Sequence, residues 1–127
     1  MHPNPDLLVH LCASEEWDAA RSVGELRPPS LAEMGFVHLS TLEQVHLPAN
    51  RVFAGRNDLV LLRLDAGLLG SPVLWEPGAP SDPPSMVFPH LYGPLPVAAV
   101  IVAVPYPTAP DGAFPAYRGG SAERQTE

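Results

Sequence analysis

Lysine is absent from this chain, and cysteine and long hydrophobic runs are scarce. All seven positive charges are arginines, against fourteen acidic residues, so the formal net charge is −7. An acidic surface repels phosphate backbones, and we therefore expect no non-specific nucleic-acid binding. The single Cys12 excludes an internal disulfide and fits a reducing compartment. The apolar runs are far shorter than the ~20 residues that span a bilayer, and the start of the chain lacks the features of a signal peptide. We expect a cytoplasmic protein that does not enter the membrane.

The chain also lacks the short motifs that mark common ligand sites. It contains no Gly-x-Gly-x-x-Gly, no P-loop and no Gly-x-Ser-x-Gly, which disfavours dinucleotide-binding Rossmann domains, Walker-type NTPases and α/β-hydrolases. His-Glu-x-x-His and Cys-x-x-Cys are missing as well, and the histidines of interest lie on separate predicted elements. We therefore expect no metal ion.

Size and composition predict one folded domain. A chain of 127 residues that is 46% hydrophobic and 17% charged has the composition of a globular protein. We place the domain at residues 1–104. Residues 105–127 contain four prolines, three glycines and a charged end, which predicts a flexible C-terminal tail.

The hydrophobic pattern predicts an α+β fold in which the helices come early and most strands late. Helices are expected at residues 14–24, at a short turn over 30–35 and at 42–53, with a kink or break at Pro48. Between 77 and 85 the proline-rich sequence predicts a loop, and 89–94 reads as a rigid turn. Strands are expected at five places: residues 7–12, 36–39, 58–65, 73–76 and 98–104.

Two histidines fall inside the predicted strands, where an imidazole needs a specific environment. His10 lies in the first strand, and it is either a half-buried histidine bonded to a backbone carbonyl or a ligand-binding group. His38 lies in the second strand, and Ser40 follows at a spacing that shares one strand face. That face either lines a cleft or is an ordinary solvent-facing surface.

A second group of polar residues comes later in the chain. Glu76 ends a predicted strand directly after Trp75, and it is either a catalytic carboxylate or a strand-end carboxylate in water. His90 and Tyr92 lie in the proline-framed turn. We predict that His10, His38 and His90 converge on one concave pocket together with Ser40, Trp75 and Tyr92, since such pockets are the usual ligand sites.

The order of these motifs resembles a known family. Its members are grouped as domain-of-unknown-function family 952, and the likeness covers roughly residues 6–104. The family is classed by fold with the ADP-ribosyltransferase-like superfamily, and the opening of this chain is similar to that of the RNA 2′-phosphotransferases. The segments that carry the resemblance are His10, Trp17, Arg27-Pro28-Pro29-Ser30-Leu31, Gly35-Phe36-Val37-His38-Leu39-Ser40-Thr41, Ala49-Asn50, residues 59–65, Trp75-Glu76 and Phe88-Pro89-His90-Leu91-Tyr92-Gly93-Pro94-Leu95-Pro96.

The resemblance implies two small split sheets with a cleft for NAD⁺ between them. By this likeness His10 would contact the nicotinamide ribose, and His38 and Ser40 would line the second wall. Glu76 or His90 would take the position that steadies the oxocarbenium-like transition state.

The chain also departs from the RNA 2′-phosphotransferase pattern. Cys12 replaces the threonine of the His-x-Thr motif. For the basic residues that bind the 2′-phosphate, only Arg27 and Arg51 are candidates.

Three functions follow as hypotheses from different classes. The first is an enzyme with an ADP-ribosyltransferase-like cleft that uses NAD⁺ as a substrate for group transfer, with His38, Glu76 and His90 as catalytic residues. His10, Arg27, Ser40, Arg51, Trp75 and Tyr92 are then ligand-binding. The second is a histidine-based acid–base enzyme acting on a small metabolite by cyclisation, isomerisation or hydrolysis. The third is a non-catalytic module that binds a small molecule.

Overall fold

The computed structural model describes residues 8–78 and 86–114, and it confirms an α+β fold with three helices and antiparallel sheets. The helices are α1 (Ser14–Val23), α2 (Pro29–Met34) and α3 (His46–Phe53). Two short 3₁₀ helices cover Ala66–Leu68 and Val97–Ala99. The strands are β1 (Leu8–Ala13), β2 (Glu25–Leu26), β3 (Val37–His38), β4 (Ser40–Thr41), β5 (Leu59–Leu64), β6 (Val73–Pro77), β7 (Val87–Leu91), β8 (Leu95–Pro96) and β9 (Val100–Pro105).

A four-stranded antiparallel sheet, in the order β4-β1-β5-β9, is covered on both faces. Side chains alternate between the faces of a strand, so Leu8 and Cys12 point to one side and Val9 to the other. The first side belongs to a core cluster that also contains Val37 and Leu91 of the second sheet. The other side is closed by α3 and by aromatic residues near the end of the described chain. Two covered faces explain why β1 and β5 are apolar along most of their length.

The second sheet has three antiparallel strands in the order β3-β7-β6; one face packs on a core cluster, and the other borders the cleft. Val37 pairs with Leu91, and both point into the first core cluster. His38 pairs with His90 one position along, so both imidazoles lie on the opposite face. This open face supplies the functional site. A small β2-β8 pair completes the sheets of the described residues.

Residues 89–91, predicted as part of a rigid turn, belong instead to β7, the central strand of the second sheet. Proline is rare in a central strand because it cannot donate a hydrogen bond. The structure tolerates Pro89 because its carbonyl accepts a bond from the Leu39 N–H at 3.0 Å, at the point where the chain leaves this sheet. Pro89 has no N–H to donate to Leu39 in return, and this missing bond lies at the end of the pairing between β3 and β7.

The strand predicted at residues 36–39 is split in the structure. Val37–His38 pairs with β7 in one sheet, whereas Ser40–Thr41 pairs with β1 in the other. The following helix begins only at His46, so Pro48 lies in its first turn. A proline there loses no intrahelical bond, because the first N–H groups of a helix have no partner within it. The expected kink is therefore absent from α3.

The segment after β9 packs on the domain as far as Phe114. Tyr106 and Phe114 are buried, and their rings stack with centroids 5.1 Å apart. Asn50 of α3 donates to the Phe114 carbonyl at 2.8 Å and accepts from its N–H at 2.7 Å. The prediction of a tail beginning at residue 105 missed this packing, which needs partners from α3; residues 115–127 lie outside the described residues. Within the described chain, no helix has the length and apolar character needed to cross a membrane.

Candidate active site

A cleft of about 930 Å³ opens beside the polar face of the second sheet. Its lining comes from β1, α2, the β3–β4 segment, α3 and β7, so elements of both core clusters meet there. Five residues singled out in the sequence line this one cleft: His10, His38, Ser40, Arg51 and His90.

His90 of the cleft lining belongs to a hydrogen-bonded chain with Glu76 and Tyr92, which are not among the described residues of the lining. Oε1 of Glu76 accepts from the Tyr92 hydroxyl at 2.8 Å and lies 2.7 Å from Nδ1 of His90. The hydrogen bonds from His90 and Tyr92 lower the pKa of Glu76, so its carboxylate is ionised and can only accept. Nδ1 of His90 must therefore donate, which leaves the lone pair of the neutral ring on Nε2.

The same hydrogen bond raises the pKa of Tyr92, because its phenol donates to a carboxylate. The tyrosine thus stays protonated well above neutral pH. The side chain of His90 is only 7% exposed, while that of Glu76 is 34% exposed. Glu76 connects the buried imidazole to the edge of the sheet and fixes the ring's orientation.

His38 stands beside His90 as a second imidazole. The ring centroids are 5.4 Å apart and the planes are nearly perpendicular, at 89°. Desolvation lowers the pKa of His38, and repulsion from a protonated His90 and from Arg51 lowers it further. The ring is therefore largely neutral at pH 7. Arg51 lies on α3 and brings a positive charge to this part of the cleft.

Phe36 is a site residue that the functional analysis of the sequence missed. Its ring stacks on His90 with centroids 4.0 Å apart and planes 10° apart, and it meets the edge of His38 at 5.0 Å. Ser30 of α2 donates to the Phe36 carbonyl at 2.8 Å, which ties this wall of the cleft to the helix. A signal was present, since Phe36 precedes His38 by two residues in an extended run and so shares its face.

His10 forms the floor of the cleft and joins the two sheets. It is buried, with 7% of its surface exposed, and its Nδ1 lies 2.7 Å from the His38 carbonyl oxygen. A carbonyl only accepts, so Nδ1 carries the proton. Burial is the main reason that the pKa of His10 is lowered, and the ring is neutral at pH 7. The bond to a backbone carbonyl, one alternative raised by the sequence, is what the structure shows, and His10 also lines the cleft.

Two residues proposed as ligand-binding lie elsewhere. Trp75 packs against the first core cluster, because it alternates with Glu76 along β6 and so points to the covered face of the sheet. Arg27 borders a separate pocket of about 170 Å³ and pairs with Glu25 at 2.5 Å. A third residue, Tyr92, is also not among the described residues that line the cleft; its hydroxyl donates to Glu76, which contacts His90 of the lining.

The side chains of the cleft are suited to proton transfer. Cys12 lines the cleft, but burial raises the pKa of its thiol to about 12, so a nucleophilic thiolate is disfavoured. Within residues 8–78 and 86–114, no group of three or more His, Cys, Asp or Glu side chains is arranged to hold a metal ion. The two neighbouring imidazoles, one of them oriented by a carboxylate, can accept and donate protons.

Comparison with known proteins identifies relatives that match this fold. The crystal structure of protein CC0527 from Caulobacter crescentus has 34% sequence identity and a TM-score of 0.72, and the match covers 85% of this chain and 92% of that chain. The solution NMR structure of the same protein matches with a TM-score of 0.70 over 86% and 91% of the two chains. Among curated proteins, none matches.

The family likeness read from the sequence is confirmed by a family model. The model is described as a protein of unknown function, DUF952, and it matches residues 11–103. This range includes all the helices and strands apart from the first residues of β1 and the last residues of β9. With a match over most of its length, this chain belongs to the DUF952 family.

Proposed function

We propose that this protein is an enzyme that performs general acid–base chemistry on a small organic substrate held in the cleft. The observation that supports this most strongly is the Glu76–His90 contact of 2.7 Å, which leaves Nε2 of His90 as the free nitrogen. A histidine that a carboxylate holds in one tautomer is suited to take a proton from substrate, because the carboxylate also stabilises the imidazolium that forms.

The two imidazoles have different roles in this proposal. His90 is the general base, because the ionised carboxylate of Glu76 is hydrogen-bonded to it and stabilises its protonated form. His38 has a lowered pKa and lies beside Arg51 and His90, so it stays neutral while His90 is charged. A neutral His38 can donate one hydrogen bond to the substrate and accept another, and it orients the reacting group against His90.

The test is turnover measured by ¹H and ³¹P NMR with a panel of NAD⁺, ADP-ribose, nucleoside monophosphates and cyclic nucleotides. We expect one of these substrates to be consumed, with the rate falling roughly 10²–10⁴-fold in His90→Gln, the range of one general base. His46→Gln is the matched control, because His46 begins α3 and is not among the described residues that line the cleft. Full activity of His90→Gln would overturn the proposal.

A second candidate function is group transfer from NAD⁺ in an ADP-ribosyltransferase-like cleft. Two observations favour it: the cleft adjoins two antiparallel sheets, and at about 930 Å³ it lies at the upper end of ordinary ligand pockets. In this reaction the bond between nicotinamide and its ribose breaks, nicotinamide leaves, and an acceptor oxygen bonds to the ribose carbon. His90 would remove the proton from that oxygen, and His10 and Ser40 would border the bound nucleotide.

Thermal shift separates the two candidates. A ligand at 100 times its Kd adds about 2.7 kcal/mol of stability, so millimolar NAD⁺ or ADP-ribose should raise the Tm if either binds well. No shift with these two ligands, together with turnover of another substrate, favours the first candidate. Binding without turnover of any panel compound points to a non-catalytic binding module. For phosphate recognition the lining carries charges of both signs, since it contains Arg51 and Arg56 and also Glu15 and Glu16.

A further inference from the structure

Two exposed apolar side chains stand at the cleft. Met34 is 57% exposed and Val52 is 64% exposed, and both line it. Other apolar residues are as exposed elsewhere on the surface, for instance Val23 at 74% and Ile101 at 64%. Single exposed apolar residues are common, but two at the same concave site favour an apolar ligand group.

The helices that carry these residues have separate anchors. Val52 belongs to α3, which packs through Val45 and Ala49 on the second core cluster. Met34 ends α2, a helix without a buried residue whose Leu31 contacts the first cluster. The cleft is therefore bordered by two short helices, each with an apolar side chain that the rest of residues 8–78 and 86–114 leaves largely exposed.

The rest of the lining divides into an apolar part and a polar part. Proline and phenylalanine side chains supply flat apolar surface, and the imidazoles of His38 and His90 supply the polar centre. Arg56 and Asp58 form an ion pair at 2.5 Å, so the charge of Arg56 is paired with a carboxylate of the protein. The apolar lining residues are Leu11, Pro28, Pro29, Met34, Phe36, Leu39, Pro48, Val52, Phe53, Pro77 and Phe88.

We propose that Met34 and Val52 are specificity-determining residues that bind an uncharged ring of the substrate beside the His38–His90 pair. This rests on the proposed function in one respect only, namely that the reacting group lies at those imidazoles. The cleft is larger than one ring, so the ring is one part of the substrate and the reacting polar group is another. A concave site of this size fits a small molecule better than a protein partner.

The first experiment is an NMR titration of protein with ¹³C-labelled Met, Val and Ile methyl groups. The probes are benzamide and adenosine, which are neutral rings, and inorganic phosphate, an anion without a ring. We expect both rings to shift the methyl signals of Met34 and Val52 and to leave those of Val23 and Ile101 in place. The proposal is overturned if phosphate alone shifts Met34 and Val52, or if the rings shift Ile101 equally.

The second experiment uses two variants matched in exposure. Val52→Ser should weaken ring binding roughly tenfold, the scale of one lost apolar contact in a pocket. Ile101→Ser removes a side chain of the same 64% exposure on β9 and should leave binding unchanged. Equal affinity in the two variants would contradict the proposal, and a denaturation curve on each establishes that both are folded.

The same titration distinguishes this inference from the proposed function. His90→Gln should lower turnover roughly 10²–10⁴-fold while the rings still shift the methyl signals of Met34 and Val52. Lost turnover in Val52→Ser with normal ring binding would refute the specificity role and leave the acid–base proposal standing. Retained turnover in His90→Gln, with ring binding that depends on Val52, would refute the acid–base role alone.

Discussion

The two main sheets differ in how many of their faces are buried. The four-stranded sheet has a core cluster on each side, and its central strand β5 contributes Leu62 to one and Leu61 to the other, both fully buried. The three-stranded sheet buries Leu91 on one side and presents His90 on the other, at the cleft. Polar side chains on the cleft face of this sheet are hydrogen-bonded to one another, which offsets the cost of their partial burial, and this explains where the site lies.

His10 is the exception that connects the two sheets. It is a polar residue on a strand of the doubly covered sheet, at the edge of the first cluster, and its partner is a carbonyl of the singly covered sheet. The bond satisfies Nδ1 of the buried imidazole, which would otherwise cost a desolvation penalty. His10 thus fixes the relative position of the two walls of the cleft.

The largest expected effects compare leucine truncations in the two sheets. Leu61→Ala and Leu62→Ala should each lower the free energy of unfolding by about 2–5 kcal/mol, because each opens a cavity on a covered face. In the second sheet, Leu91→Ala should fall in the same range, whereas Leu74→Ala, at 47% exposure on the polar face, should cost less than about 1 kcal/mol. Urea denaturation measures all four, and a cost for Leu74→Ala equal to that of Leu91→Ala would mean that both faces are buried.

A smaller effect tests how the four-stranded sheet is closed on its second face. Asn50→Ala removes both hydrogen bonds to the Phe114 backbone and should lower the free energy of unfolding by about 1–3 kcal/mol. Amide hydrogen exchange should also become faster over residues 106–114. Asn57→Ala is the control, since it removes a solvent-exposed hydrogen bond of 2.9 Å to the Thr108 side chain rather than bonds to the backbone. Unchanged exchange in Asn50→Ala would show that Tyr106 and Phe114 hold the segment without it.

A third prediction concerns the pH dependence that the buried histidines introduce. Burial lowers the pKa of His10 and His38 below the ordinary 6.5, so below that pH the unfolded chain binds more protons than the folded one. Stability should therefore fall as the pH drops from 7 to 5, with a slope of up to about 1.4 kcal/mol per pH unit for each proton. Glu16 opposes the shift at His10, but burial exceeds it. The pKa of Glu76 is also lowered in the folded protein, so protonation of this carboxylate reduces stability further, but only below about pH 4.5.

His10→Gln separates the contribution of His10 from that of His38. Its amide can still donate to the His38 carbonyl but does not titrate, so urea denaturation at several pH values should give a shallower slope between pH 7 and 5. An identical slope in His10→Gln would show that His10 does not contribute.

The smallest effect is expected at a surface ion pair that belongs to neither sheet. Arg21 and Asp18 on α1 are 58% and 63% exposed and lie 2.6 Å apart. Arg21→Ala should change the free energy of unfolding by less than about 1 kcal/mol, because exposed pairs gain little over their hydrated state. A loss of stability as large as that of Leu61→Ala would contradict this prediction, because it would mean that the exposed ion pair contributes as much as a buried leucine.

Part of the site was predictable because strand alternation is a local rule. His38 and Ser40 were expected in one cleft with His10 and His90, and all four line it, although β3 and β4 belong to different sheets. Applied consistently, the same rule would have excluded Trp75, which is adjacent to Glu76 and points to the other face. It would also have included Phe36. The roles of these residues in binding and catalysis remain predictions.

The sequence by itself determined the family and many of the elements, among them β1, β5, β6 and β9, because these depend on local patterns: apolar runs, helix ends and a fixed order of motifs. It also determined that His10, His38 and Glu76 lie on strands. Only the tertiary structure decided that residues 87–91 form a central strand, since Pro89 argues locally against one and the pairing with β3 and β6 overrides it. The contacts from Glu76 to His90 and from His10 to His38 join residues far apart in the chain, and no local pattern specifies them. The Glu76–His90 contact depends on the pairing of β6 with β7 in one sheet. The His10–His38 contact depends on the packing of the two sheets through one shared core.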